Sequence, residues 1–104
     1  MKTIDFTKQE GLVPAIIQDE KSGEIFMLGY MNSEALEKTK ETGFVYFWSR
    51  SKNRLWMKGE ISGNKLKMKN IFVDCDNDAL LIKVTLLGDV VCHTGNKNCF
   101  MKKL

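Results

Sequence analysis

The segment Asp74-Cys75-Asp76-Asn77-Asp78 places three carboxylates at every second position of the chain. In an extended backbone alternate side chains lie on one face, so we expect the three carboxylates to converge. Like charges this close repel one another unless a cation or lysines neutralise them, and hard cations such as Mg²⁺ and Ca²⁺ prefer carboxylate oxygens. The spacing therefore predicts a divalent-metal site at Asp74, Asp76 and Asp78. A solvated acidic turn paired with nearby lysines is the alternative.

The segment from Cys92 to Cys99 contains two more thiols and the only histidine of the sequence, His93. Thiolate and imidazole are ligands that zinc favours, and a catalytic zinc site usually has three protein ligands and one position open to water. Cys75, Cys92 and Cys99 supply three ligands, and His93 is then either a fourth ligand or a proton-transfer group beside the metal. Inert buried thiols and a hydrogen-bonded loop histidine are the alternatives without a metal.

Side-chain alternation separates the two predicted metal sites. If residues 74–78 are extended, Cys75 points away from the face that carries the three aspartates. The two metals would then lie on different sides of this segment. In one arrangement that satisfies this geometry, Cys75 reaches the zinc ion across a dimer interface.

The stretch from Trp48 to Asn64 combines cations, hydroxyl groups and glycines. Arginine forks, serine hydroxyls and exposed glycine N–H groups bind phosphate well. Trp48 or Trp56 can stack on a purine, although an aromatic residue in a strand more often belongs to the core. The candidate substrate-binding residues are Trp48, Ser49, Arg50, Ser51, Lys58, Ser62 and Gly63. A solvated basic hairpin explains the same composition without a ligand.

Composition and charge restrict the class of protein. The chain has 104 residues, 43% of them hydrophobic and 28% charged, which suits one soluble domain over residues 1–104. The N-terminus has no apolar signal core and no apolar stretch is long enough to span a bilayer, so we expect a cytoplasmic protein with no membrane partner. An odd count of three cysteines argues against a disulfide framework. The net charge of +3 fits a phosphate-bearing ligand but is too weak to indicate nucleic acid by itself.

The hydrophobic pattern predicts one principal helix among several strands. Asn32 or Ser33 can cap the helix and Gly43 suits the left-handed position after its last turn, while Pro14 belongs at a strand start or on an edge. The fold class is therefore α+β, built mainly on antiparallel sheet. The predicted helix covers residues 32–42, and the predicted strands cover residues 12–19, 24–30, 44–50, 54–60, 65–73 and 80–87.

Taken in order over residues 11–100, the motifs resemble one family, the phosphoribosyl-AMP cyclohydrolases. Its most specific feature is the block Asp74–Leu81 followed by Cys92-His93-Thr94-Gly95. The other motifs that carry the resemblance are Gly11–Ala15, Met27–Asn32, Thr42-Gly43, Tyr46–Ser51, Leu55–Glu60, Ser62–Asn64 and Cys99-Phe100.

The resemblance implies a metal-dependent hydrolase that opens the adenine ring of phosphoribosyl-AMP at the N1–C6 bond, the third step of histidine biosynthesis. Family members use one Zn²⁺ and one Mg²⁺ per subunit and form homodimers, so an intertwined homodimer is expected here. The expected partners are therefore a second copy of the chain and a small phosphoribosyl nucleotide, without nucleic acid.

The family's site residues transfer to this chain position by position. The resemblance implies that the ligands of Mg²⁺ are Asp74, Asp76 and Asp78. It implies that the ligands of Zn²⁺ are Cys75, Cys92 and Cys99, with Cys75 coming from the partner subunit. His93 is the predicted proton shuttle, since imidazole exchanges protons near neutral pH. The departures from the family pattern touch no proposed metal ligand: Lys52 replaces a frequent arginine, Gly29 a frequent alanine and Ile61 a frequent threonine.

Two other classes of function are compatible with parts of the sequence. A zinc-stabilised, non-enzymatic module that binds nucleic acid through residues 50–69 predicts four-coordinate zinc and binding that weakens steeply with salt. A purely structural protein predicts no metal at all. Elemental analysis of the purified protein distinguishes the purely structural protein from the two metal-binding classes.

Overall fold

The chain folds into six strands and one helix over the part that the structure, a computed structural model, describes, residues 4–104. This confirms the predicted α+β class. No helix of the described residues is long and apolar enough to cross a membrane. In chain order the elements are β1 (Val13–Asp19), β2 (Ile25–Met31), α1 (Ser33–Thr42), β3 (Tyr46–Ser49), β4 (Arg54–Met57), β5 (Lys65–Val73) and β6 (Leu80–Leu87).

The helix begins and ends where its capping residues predict. The Asn32 side chain accepts a hydrogen bond from the backbone N–H of Ala35 at 2.9 Å, which satisfies one of the free donors of the first turn. Gly43 adopts a left-handed conformation with φ of 82° and returns its N–H to the carbonyl of Thr39 at 2.9 Å. Thr39 is fully buried, and its hydroxyl accepts from the N–H of Tyr46, which ties α1 to β3.

The strands form a four-stranded sheet in the order β2-β1-β6-β5 and a separate two-stranded sheet of β3 and β4. Three of the four pairings are antiparallel, as predicted, whereas β1 and β6 run parallel from Ala15↔Leu80 to Asp19↔Val84. This parallel ladder begins one residue after Pro14, so the proline stands at a strand start as expected. The pairing places the beginnings of β1 and β6 at the same end of the sheet.

One face of the four-stranded sheet forms the core. Alternate residues of the two central strands are buried there, as a period of two requires, and the buried ring of Phe47 on β3 belongs to the same core. The buried residues of the central strands are Val13, Ala15, Ile17, Leu80, Ile82 and Val84.

The opposite face of the same sheet carries a row of apolar side chains. Ile16 pairs with Leu28 on one side and with Leu81 on the other, and Leu81 pairs with Phe72. The row thus crosses all four strands. Ile16, Leu28 and Phe72 are 37%, 43% and 50% exposed, so this face is not covered within the chain.

Candidate active site

A cleft of about 450 Å³ opens beside the β3–β4 hairpin. Its wall comes from the end of β3, from β4 and from the turn that follows β4, and His93 contributes from a separate loop. β4 ends at Met57, three residues earlier than predicted, because the chain turns at Gly59 with φ of 86°. The polar and aromatic side chains of the lining are Ser49, Lys52, Arg54, Trp56, Lys58, Glu60, Ser62 and His93.

The cleft brings together four of the site residues predicted from the sequence, Ser49, Lys58, Ser62 and His93. The other predicted substrate-binding residues, Trp48, Arg50, Ser51 and Gly63, lie outside its lining.

Arg50 and Ser51 have contacts of their own near the hairpin. The guanidinium of Arg50 stacks on the ring of Tyr30, 3.9 Å from its centroid. The hydroxyls of Ser49 and Ser51 lie 3.4 Å apart. The guanidinium of Arg50 therefore packs on Tyr30 of β2 and does not line the cleft.

The cleft also contains two cations, Lys52 and Arg54, that were not among the predicted site residues. Arg54, Trp56 and Lys58 occupy every second position along β4 and its continuation, so their side chains share one face. That alternation was the signal in the sequence that could have identified Arg54 and selected Trp56 over Trp48. Glu60 is the one carboxylate of the lining, 3.5 Å from the guanidinium of Arg54, so the cleft carries an excess of positive charge.

The loop with Cys92 and Cys99 is attached to the rest of the protein at both ends. The ammonium of Lys58 donates a hydrogen bond to the carbonyl of Val91 at 2.6 Å. The N–H of Cys99 donates to the carbonyl of Phe26 at 2.7 Å. The Glu24 carboxylate accepts from the amide of Asn98 at 2.7 Å, which holds the second thiol beside β2.

The two thiols of this loop are neighbours whose pKa values are shifted in opposite directions. The hydroxyl of Thr94 donates to the sulfur of Cys92 at 3.0 Å, and this bond, with the Thr94 backbone N–H, lowers the pKa of Cys92. Burial raises the pKa of Cys99, and the adjacent Cys92 thiol raises it further. Cys92 therefore ionises at lower pH than Cys99, which makes it the readier of the two thiols to bind a metal ion.

The acidic segment is a turn between β5 and β6, so the condition that residues 74–78 are extended is not met. The Asp74 carboxylate accepts hydrogen bonds from the N–H groups of Asp78 and Ala79 at 2.9 and 3.2 Å, and Asn77 takes a left-handed φ of 63°. These local bonds offer the backbone an alternative to a strand. Side-chain alternation therefore does not determine where Cys75 points, and it does not separate the two predicted metal sites.

The turn nevertheless brings the three carboxylates together. Oxygens of Asp74, Asp76 and Asp78 all lie within 4.8 Å of one another. The hydrogen bond from the N–H of Asp78 lowers the pKa of Asp74, whereas a hydrogen bond with the Asp76 carboxyl raises the pKa of Asp78. Lys8 lies beside the cluster, with its ammonium 3.2 Å from Asp78 and 3.6 Å from Asp76.

The three thiols do not gather within one chain. Cys75 is exposed in the turn after β5, at one edge of the four-stranded sheet, whereas Cys99 lies beside β2 at the other edge. Among residues 4–104, Asp74, Asp76 and Asp78 are the one group of three histidine, cysteine or acidic side chains whose ligand atoms converge within 4.8 Å. His93 accordingly does not form such a group with the thiols, and it lies in the wall of the cleft.

Comparison with known proteins identifies the family. Residues 27–101 match the profile of phosphoribosyl-AMP cyclohydrolase. The phosphoribosyl-AMP cyclohydrolase of Listeria innocua is 58% identical over 100 residues, which is 96% of this chain and 92% of that protein. The phosphoribosyl-AMP cyclohydrolase of Clostridium botulinum is 57% identical over 104 residues, the whole of this chain and 94% of that protein.

A third relative contains a similar chain as part of a longer protein. The histidine biosynthesis bifunctional protein HisIE of Photobacterium profundum is 59% identical over 98 residues, which is 94% of this chain and 47% of that protein. Matches at this identity extend over the cleft, the acidic turn and the thiol loop alike. This chain belongs to the phosphoribosyl-AMP cyclohydrolase family.

Proposed function

We propose that this protein is a cytoplasmic enzyme of histidine biosynthesis that hydrolyses the N1–C6 bond of the adenine ring in phosphoribosyl-AMP. The observation that supports this most directly is the position of His93. Its imidazole lies in the wall of a cationic cleft and directly follows the thiol Cys92. An imidazole, a cluster of cations and a thiol therefore belong to one region of the fold, and this supports the proposed reaction.

The donor sets fit two different metals. The three carboxylates of the acidic turn offer hard oxygen ligands at close quarters, which suits Mg²⁺. The neighbouring thiols Cys92 and Cys99 offer soft ligands, and the lowered pKa of Cys92 favours the thiolate that zinc requires. Bound zinc supplies Lewis-acid activation of water.

A homodimer completes the zinc ligands in this proposal. Two thiols of one subunit leave a three-ligand site one donor short, and Cys75 of the partner subunit is the remaining cysteine. Cys75 is exposed, so a second chain can reach it. The apolar row across Leu28, Ile16, Leu81 and Phe72 gives an intertwined dimer a surface that association would remove from water.

The side chains of the cleft have separate tasks in this mechanism. The indole of Trp56 stacks on the adenine ring. The cations Lys52, Arg54 and Lys58 bind the two phosphates of the substrate. The imidazole of His93 takes a proton from the attacking water and returns it to the ring nitrogen that leaves C6. Asp74, Asp76 and Asp78 would hold Mg²⁺, which would supply positive charge for the phosphoribosyl end of the substrate.

The test is an absorbance assay with phosphoribosyl-AMP on protein of known zinc content, with and without a zinc chelator. Turnover should vanish with chelation and return on addition of Zn²⁺. His93→Gln should retain the metal and lose turnover by about 10²-fold or more, the usual contribution of a positioned acid–base group. Full activity of the chelated protein, or of His93→Gln, would refute the proposed mechanism.

A further inference from the structure

Lys8 lies beside the acidic turn and forms ion pairs with two of its carboxylates. Its ammonium lies 3.2 Å from Asp78 and 3.6 Å from Asp76, two of the three carboxylates that converge. The segment that carries it is held beside the turn, since the N–H of Asp5 donates to the carbonyl of Asn77 at 2.7 Å. Lys8 is separated from the turn by some seventy positions in sequence, so the fold, and not chain proximity, brings it there.

We propose that Lys8 neutralises the acidic turn when the divalent ion is absent and that the ion displaces it on binding. Lys8 is thereby a residue that sets the affinity of this site for its metal. The inference rests on the proposed function, because it takes the acidic turn to be the Mg²⁺ site.

The charges of the turn favour a nearby cation. Carboxylate oxygens of the three aspartates lie within 4.8 Å of one another, so their negative charges repel. Asp74 is already oriented by two backbone N–H groups, which leaves Asp76 and Asp78 to the ammonium.

The ammonium and the metal compete for the same oxygens. Mg²⁺ draws its oxygen ligands to about 2.0–2.1 Å and carries two positive charges. An ammonium on the same two carboxylates would be repelled by the ion and would also occupy their free lone pairs. Lys8 therefore has to leave Asp76 and Asp78 when the ion binds, and the apparent metal affinity is lower than the carboxylates alone would give.

Titration calorimetry with Mg²⁺ tests the competition on the full-length protein. Lys8→Met keeps most of the side-chain length and removes the charge, so it should bind Mg²⁺ about three- to tenfold more tightly than the original protein. Lys8→Arg retains a cation and should stay near the original affinity. Lys21→Met removes the same charge at the opposite end of β1, so it controls for net charge and should leave the affinity unchanged.

The outcomes separate this inference from the proposed function. If the original protein shows no saturable Mg²⁺ binding, the metal site of the proposed function is wrong. If it binds Mg²⁺ and Lys8→Met binds no more tightly than Lys21→Met, the displacement is wrong while the metal site stands.

Release of the ammonium can be followed directly. Acetylation by a water-soluble ester, read by mass spectrometry, should label Lys8 slowly in the metal-free protein and several times faster in the presence of Mg²⁺. Lys102, which is exposed near the C-terminus, serves as the internal reference. Equal labelling of Lys8 with and without bound Mg²⁺ would overturn the inference.

Discussion

The ammonium of Lys58 lies 2.6 Å from the carbonyl oxygen of Val91, to which it donates a hydrogen bond. Val91 is buried and precedes Cys92, so this bond joins the wall of the cleft to the thiol loop. The hydrogen bonds from Thr94 are the main cause of the lowered pKa of Cys92, and the positive charge of Lys58 acts in the same direction. The lysine that was expected to bind phosphate thus also supports the loop that carries the proposed zinc ligands.

Lys58→Met should weaken zinc binding by about tenfold, because a half-buried hydrogen bond from a charged donor is lost and the loop is less well held. The measurement is a competition titration against a chromophoric zinc chelator. Lys52→Met is the matched control, since it removes a cation of the same cleft without touching the bond to Val91. Lys52→Met should raise KM and leave zinc affinity unchanged; an unchanged zinc affinity in Lys58→Met would show that the loop does not depend on this bond.

Thr94 should control the pH at which Cys92 ionises. Because the Thr94 hydroxyl lowers the pKa of Cys92, the thiolate persists to lower pH in the folded protein than in an ordinary cysteine. The stabilisation from this contact is therefore present above the unfolded pKa and is lost as pH falls through the lowered folded value. Thr94→Val should shift the alkylation profile of Cys92 in zinc-free protein to higher pH.

The alkylation experiment has its own internal comparison. Cys99, whose pKa is raised by burial, should begin to react at higher pH than Cys92. Thr85→Val on β6 removes a hydroxyl away from the thiol loop and should leave both profiles in place. A profile of Cys92 that does not move in Thr94→Val would mean that the hydroxyl is not its controlling contact.

Mixed dimers should reveal the origin of the third thiol. Cys75→Ser and Cys92→Ser should each be inactive alone, but a mixed dimer of the two contains one complete set of ligands. Random re-association of equal amounts should restore about a quarter of the original activity, since half of the dimers are mixed and each has one site of two. The readout is the absorbance assay after the two proteins are unfolded together and refolded.

A second mixture controls for this complementation. Cys92 and Cys99 belong to the same side of the proposed interface, so Cys92→Ser mixed with Cys99→Ser leaves no complete ligand set and should remain inactive. Recovery in this second mixture, or none in the first, would contradict a zinc site that takes Cys75 of the partner subunit.

Gly59 should tolerate no side chain. Its φ of 86° is one that L-residues rarely adopt, and an added Cβ would collide with the backbone carbonyl of Asn64. Gly59→Ala should cost about 2–4 kcal/mol of unfolding free energy from the strain and the overlap together. Gly63→Ala has a similar φ of 84° but open space around it, and should cost about 1–2 kcal/mol from strain alone. Equal costs in denaturant unfolding would show that the contact with Asn64 relaxes freely.

The elements that could be predicted from sequence are those with local signals. Helix α1 has its capping asparagine and terminal glycine, and the β1–β2 hairpin has two apolar runs around a turn at residues 20–23. The parallel pairing of β1 with β6 has no such signal, because the two strands are some sixty positions apart and their apolar runs suit many pairings.

The acidic turn shows a different limit. Alternation correctly predicted that three carboxylates converge, but for the wrong reason, since the Asp74 carboxylate bonds to the N–H groups of Asp78 and Ala79 and closes a turn. Side chains that capture nearby backbone donors override a simple period of two. In the cleft, by contrast, the same period holds along β4, and it would have selected Arg54 and Trp56 had it been applied there.

The order of the strands has a consequence for how the proposed enzyme responds to its own concentration. Cys75 and Cys99 lie at opposite edges of a sheet whose four strands span about 14 Å, and a packed sheet does not fold back to bring its edges together. If the zinc ion takes Cys75 of the partner subunit as proposed, a lone subunit has an incomplete catalytic centre even when it is fully folded. Turnover per chain would fall as dilution separates the subunits, and would recover without any refolding when they meet again.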